Sequence, residues 1–200
     1  MPPEWPVKRC EMHNHHVDST VWNDFVFRND DIVIATYAKS GTAWMQQIVA
    51  QLLFPGEEIE LSGISPWLDL RVPPKDVRPA TVEAQAHRRF IKTHLPVHAL
   101  RYSPRAKYIY VARDGRDVVW NLHNHHANGN ENWYAMMNDT PGRVGPPVEP
   151  PPPSVRDYFR TWLERNGYPL SACKARLIEQ IVPRIPRFPG RWRCRSFCTC

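Results

Sequence analysis

The chain has 200 residues, 42% of them hydrophobic, with 26 Lys+Arg against 20 Asp+Glu and a formal net charge of +6. That size suits one domain with a real core, and the apolar content is that of a soluble globular chain, which excludes a low-complexity or fibrous protein. The charge does not indicate a nucleic-acid binder: Lys174, Arg176, Arg184, Arg187, Arg191, Arg193 and Arg195 carry the excess in residues 171–200 against Glu179 alone, and the body is neutral.

No apolar run reaches the length of a membrane span and no signal-peptide h-region opens the chain, so a cytoplasmic protein without membrane contact is expected. Cys10 stands apart from Cys173, Cys194, Cys198 and Cys200, and without a secretory leader a disulfide framework is not expected.

Residues 1–30 are polar with scattered aromatics (Trp5, Trp22, Phe25, Phe27) and read as an N-terminal arm. His-Asn-His-His occurs at 13–16 and again at 123–126. Adjacent histidines rarely converge on one ion, so both read as polar surface histidines rather than metal ligands.

The informative stretch starts at Asp31. Ile32, Val33, Ile34 and Ala35 form a mostly β-branched apolar run, the mark of a buried strand. It breaks at Lys39-Ser40-Gly41-Thr42, and Trp44, Ile48, Leu52 and Leu53 follow at helical spacing as an apolar face. Strand, tight turn and helix N-terminus together aim backbone N–H groups and a positive dipole end at one point. Lys39 adds a charge, and Ser40 and Thr42 add hydroxyls, so the place suits a phosphate-type anion. An ordinary βα turn bearing a lysine is the plainer reading. An ATP-binding P-loop is disfavoured, because the lysine precedes the glycine and the upstream glycine is missing.

Pro55-Gly56 marks a turn, and 57–80 reads as a long loop with a short helical piece, a candidate substrate wall. Residues 80–88 look helical. Residues 89–94 read as a short strand that places Lys92 and His94 on one side near its carboxyl end, where open α/β sheets bind ligands. Residues 107–112 are a third strand, running through Arg113-Asp-Gly-Arg-Asp into a helix from Val118 to about His126. Arg113 at that strand tip suits a forked contact with phosphate, or else a salt bridge with Asp114 or Asp117. The proline-rich run 145–153 reads as an extended spacer without packed structure. Ser154 caps a helix that carries Tyr158, Phe159, Trp162 and Leu163 and ends near Gly167.

Tyr-Ala-Lys-Ser-Gly-Thr-Ala-Trp at 37–44, Lys-Thr-His at 92–94 and Arg-Asp-Gly-Arg-Asp-Val at 113–118 occur in that order and spacing. Together they resemble the cytosolic-type sulfotransferases that use 3′-phosphoadenosine 5′-phosphosulfate, over about residues 31–167. The resemblance implies an α/β fold: a three-layer parallel sheet with flanking helices, similar to P-loop nucleotide kinases and incomplete at its C-terminal end. It implies a 5′-phosphosulfate loop built from Lys39, Ser40, Gly41, Thr42, Ala43 and Trp44, with Lys39 at the bridging oxygen and Trp44 near the adenine. It implies a catalytic His94 assisted by Lys39 and Lys92, and a 3′-phosphate held by Arg113 and Asn121. The co-substrate would be 3′-phosphoadenosine 5′-phosphosulfate, with no metal, and the partner a small-molecule hydroxyl acceptor. A homo-oligomer is compatible with the family.

The chain departs from the family at Ala38 (proline in the family), Ala43 (threonine) and Asn121 (serine). Beyond Leu170 the resemblance stops, and Arg, Cys and Pro rise together. A sulfotransferase-like domain over 1–169 and a divergent, poorly ordered basic tail over 170–200, from a truncated or frame-shifted gene, are therefore expected. Two other functions stay open: an inactive nucleotide-binding remnant and a nucleotide kinase of related fold.

Overall fold

The computed structural model describes residues 6–72 and 82–164. The expected tail at 170–200 and the helix end near Gly167 lie outside them.

Three parallel strands form one sheet: β1 (Asp31–Thr36), β2 (Phe90–Thr93) and β3 (Ala106–Val111), in the order β2-β1-β3. The register pairs Ala35 with Thr93 and Thr36 with Val111, so all three carboxyl ends reach one rim. Among the described residues the α-helices that accompany the strands include α1 (Thr42–Leu53), α2 (Leu61–Ile64), α3 (Gly115–Ala127), α4 (Glu131–Asp139) and α5 (Val155–Glu164). The short helical piece expected in loop 57–80 is α2, whereas only residues 82 and 83 of the helix expected over 80–88 are helical among those described.

All six residues of β1 are buried, because alternate side chains enter different cores. Ile32, Ile34 and Phe90 pack with Val49 and Ala50 of α1. Val33, Ala35 and Ile91 pack on the other side with Met12, Val17, Trp22, Phe25 and Phe27. The N-terminal segment is thus part of the larger core rather than a peripheral arm. Arg89, 1% exposed, ties its end to the sheet through a bidentate pair with Asp31 and a bond to the Val26 carbonyl.

Four readings of the sequence change. Trp44, Ile48 and Leu52 are exposed, at 80, 50 and 77%. The buried face of α1 is instead the neighbouring one, with Gln46, Val49 and Ala50 inside and Met45 and Leu53 packed beside them. Gln46 is satisfied there by the carbonyl and hydroxyl of Ser65. The proline-rich run is pinned: Val148 is buried against Val72 and Met137, and its backbone exchanges hydrogen bonds with the Asn138 side chain. The histidines of the two repeated tetrapeptides are not surface groups throughout, since His15 and His126 are buried. Cys10 is disulfide-bonded, not a lone thiol.

Candidate active site

The rim gathers what the sequence placed on three separate segments. Loop 37–41 turns tightly: the Ser40 N–H donates to the Tyr37 carbonyl, Lys39 has φ 63° and Gly41 φ 102°. Left-handed backbone at Gly41 needs a residue without Cβ. Among the described residues no side chain caps the start of α1, so its first-turn N–H groups remain directed into the loop. Ser40 is 5% exposed, and its hydroxyl has no hydrogen-bond partner among the described residues. A buried hydroxyl of this kind costs about 1–3 kcal/mol unless something binds it. The donor set therefore suits an anion: the loop carries one unsatisfied hydroxyl, uncapped amides and a lysine at 39.

Tyr37 anchors the loop from the other side, accepting the Trp162 Nε1–H of α5 at 3.1 Å. Arg113, after β3, reaches the same loop, with its Nη1 3.5 Å from the Lys39 carbonyl. Its Nε is 3.5 Å from Asp117 Oδ2, an exposed pair that binds weakly and can yield to a stronger anion. Asn121 donates its amide to the Asp117 carbonyl one turn back. Ala43 and Trp44 lie exposed in the first turn of α1.

His94 follows β2 and is half-buried. Its Nδ1 lies 2.9 Å from the Thr36 carbonyl and 3.2 Å from the Thr36 hydroxyl. That hydroxyl in turn bonds Thr42 at 2.5 Å. A carbonyl only accepts, so Nδ1 carries the proton and Nε2 is left as the basic nitrogen. Burial, with Lys92 and Lys39 nearby, lowers the His94 pKa to about 4, against the raising effect of the Thr36 bond, so the ring is neutral. Lys92 points over Trp67, 5.4 Å from its ring centroid, and its pKa is lowered by burial and partly restored by Asp69.

The sequence reading missed the residues that hold this arrangement. Asp69, 1% exposed, accepts the Trp22 indole at 2.7 Å, the Trp67 indole at 2.5 Å and the Thr93 hydroxyl. Trp67 then sits edge-on to His94, at 4.5 Å between centroids. An aspartate in a proline-bounded loop carries no local sign of such a role. The one available signal was its place two residues after a tryptophan.

A Sulfotransferase domain model matches residues 29–167. The chain belongs to this family. Among curated proteins it is 36% identical over 161 residues to a Glycolipid sulfotransferase of Mycobacterium bovis, covering 76% of this chain and 49% of that one. It is 36% identical over 104 residues to Sulfotransferase 1A1 of Rattus norvegicus, covering 48% and 35%, and 34% identical over 121 residues to an Amine sulfotransferase of Oryctolagus cuniculus, covering 56% and 39%. This sulfotransferase-family chain spans about half the length of the first of these relatives. A crystal structure of mouse sulfotransferase SULT7A1 complexed with PAP superposes at TM-score 0.50 with 19% identity, over 74% of this chain and 46% of that one, a likeness of fold.

Proposed function

We propose that the chain transfers a sulfuryl group from 3′-phosphoadenosine 5′-phosphosulfate to an acceptor hydroxyl. The observation that carries this reading is the meeting of Lys39, His94 and Arg113 at one sheet rim, with His94 bonded to Thr36 and Arg113 touching the Lys39 backbone. Family membership and the PAP complex of the structural neighbour support the donor.

In this reading the 5′-phosphosulfate occupies loop 39–44, satisfying the Ser40 hydroxyl and the first amides of α1, with Trp44 at the adenine. Arg113 grips the 3′-phosphate, aided by Asn121. Nε2 of His94 takes the proton of the attacking hydroxyl as the oxygen–sulfur bond forms. The bridging oxygen departs with the electron pair of the breaking bond, its charge stabilised by Lys39 and Lys92. Donor binding also serves the base: an anion that neutralises Lys39 and Lys92 removes two charges that depress the His94 pKa.

The test is calorimetric titration of the purified chain with adenosine 3′,5′-bisphosphate, followed by transfer from a labelled donor to a panel of hydroxyl acceptors. Binding and transfer are expected; no binding would overturn the reading. A second reading, nucleotide binding without turnover, draws on the exposed Trp44, Ile48 and Leu52 stripe. Binding without transfer would select it.

A further inference from the structure

Trp162, on α5, touches both of the segments that the transfer reading assigns to phosphate groups. Its Nε1–H donates to the Tyr37 hydroxyl at 3.1 Å, and the two rings meet edge to face at 6.3 Å and 89°. Its benzo edge lies against Gly115, the first residue of α3, two places after Arg113. A Cβ at Gly115 would stand 3.6 Å from the indole Cη2. One indole, 125 positions after Tyr37, thus stands between loop 37–41 and segment 113–115.

Both segments are closed on themselves beside that contact. The Tyr37 carbonyl accepts the Ser40 N–H, which folds the loop that carries Lys39. Asp114 caps α3 by accepting the Arg116 N–H at 2.9 Å. The position of the indole is therefore passed on to Lys39 and Ser40 on one side and to Arg113 on the other.

α5 is held in place by α3. The Tyr158 hydroxyl lies 3.0 Å from His126 Nδ1, and the Pro152 carbonyl, just before the helix, accepts the His123 Nε2–H at 2.8 Å. Phe159 stacks beside Trp162 at 6.3 Å and 11°. Trp162 is half-buried and no residue of α5 is fully buried, so the helix is not a core element.

The direct contacts between the two segments are too weak to set their spacing. Arg113 Nη1 is 3.5 Å from the Lys39 carbonyl and its Nε is 3.5 Å from Asp117, both at the long limit of a polar contact and both exposed. An anion that takes the guanidinium replaces them. An indole is a rigid plane on two side-chain torsions. Its donor nitrogen and its benzo edge are a fixed distance apart, so contact at both holds the segments at one separation.

Resting on the transfer reading above, we propose that Trp162 is a positioning residue that sets the distance between loop 37–41 and segment 113–115, and so between the sites for the two phosphate groups of one nucleotide. It acts through Tyr37 and Gly115 and not by contact with the ligand. A ligand that binds at two points gains from a spacing fixed in advance, because its second contact forms without a further ordering cost. A ligand with one phosphate gains nothing from it. The signature of such a spacer is a loss confined to nucleotides that span both segments.

The experiment titrates the full chain calorimetrically with adenosine 3′,5′-bisphosphate and with adenosine 5′-phosphate, and follows backbone amide exchange in the ligand-free chain. Trp162→Phe keeps an aromatic ring and removes the N–H and the benzo edge. Its affinity for the bisphosphate should fall about three- to tenfold, the worth of one hydrogen bond, and that for the monophosphate by less than about twofold. Tyr37→Phe, which removes only the accepting hydroxyl, should show the same pattern, and the double variant should lose no more than Trp162→Phe alone, because both cut one link. Without ligand, the Ser40 amide, which reports the closed turn, should exchange faster in Trp162→Phe, while Ile34 and Ala35 of β1 keep their wild-type rates. Equal losses for the two nucleotides, additive losses in the double variant, or exchange accelerated in β1 as well would make the indole ordinary packing and overturn the proposal. A wild-type chain that binds neither nucleotide counts against the transfer reading. The Ser40 exchange rate then decides the spacer by itself, and an unchanged rate overturns it.

Discussion

The Nδ1 atom of His94 lies 2.9 Å from the carbonyl oxygen of Thr36, the last residue of the central strand. This bond joins the tip of β2 to the tip of β1 and orients the imidazole, so that its other nitrogen is the basic one. His94→Ala should lower turnover by about 100-fold or more, the scale of a lost general base. Affinity for adenosine 3′,5′-bisphosphate should stay close to that of the wild type. Paired rate and binding measurements check both, and near-normal turnover would refute the assignment.

Ser40 offers a test with opposite signs. Its hydroxyl is buried and unpaired among the described residues, so Ser40→Ala removes a desolvated polar group and should leave thermal stability unchanged or slightly raised. If the hydroxyl serves the donor, the same substitution should weaken bisphosphate binding by about three- to tenfold, the worth of one hydrogen bond. Lost stability with unchanged affinity would identify Ser40 as a loop-packing residue instead.

Arg113 can be assigned to one phosphate. Arg113→Lys keeps the charge but loses the fork. Affinity for adenosine 3′,5′-bisphosphate should fall by about tenfold, a loss near 1.4 kcal/mol, while affinity for adenosine 5′-phosphate, lacking the 3′ group, should barely move. Equal losses for the two nucleotides would place Arg113 elsewhere.

Asp69 is the structural counterpart of the site. Asp69→Ala strands the Trp22 and Trp67 indole N–H groups and the Thr93 hydroxyl together. Orphaned buried groups cost about 1–3 kcal/mol each, so a loss of about 3 kcal/mol or more is expected in urea denaturation.

The buried histidines predict acid sensitivity. Burial lowers His15, His94 and His126 to about 4 in the folded chain. The unfolded chain titrates them near 6.5, so between the two values it binds more protons than the folded one. The stability they favour is complete above about pH 6.5 and drains away as pH falls toward 4. Melting temperatures across that window should drop steeply, and the slope should be shallower in His15→Asn.

Much of this could be read in the chain before folding. The apolar run at 32–35, the break at 39–42 and the strand tips at His94 and Arg113 are local patterns of backbone geometry and residue type, and local patterns survive being read in isolation. So did the common rim, because parallel strands must end on the same side. What could not be read was which surface each element would meet. Trp44, Ile48 and Leu52 have helical spacing as good as that of Met45, Val49 and Leu53, and only the seating of α1 on Ile32, Ile34 and Phe90 chose the second set. The aromatic N-terminal segment entered the core because the far face of the sheet needed covering, a demand written nowhere near residues 12–27.

The sequence by itself determined the strands, the tight loop at 39–42 and the chemical identity of the groups at the rim, since period, turn chemistry and charge are properties of neighbouring residues. Tertiary structure alone decided that the buried Arg71 would tie the carbonyls of His15 and His16 to those at the end of α4 and that a buried aspartate would aim a tryptophan at His94. Such contacts join residues far apart in the chain, and only the requirement that every buried charge and carbonyl find a partner selects them.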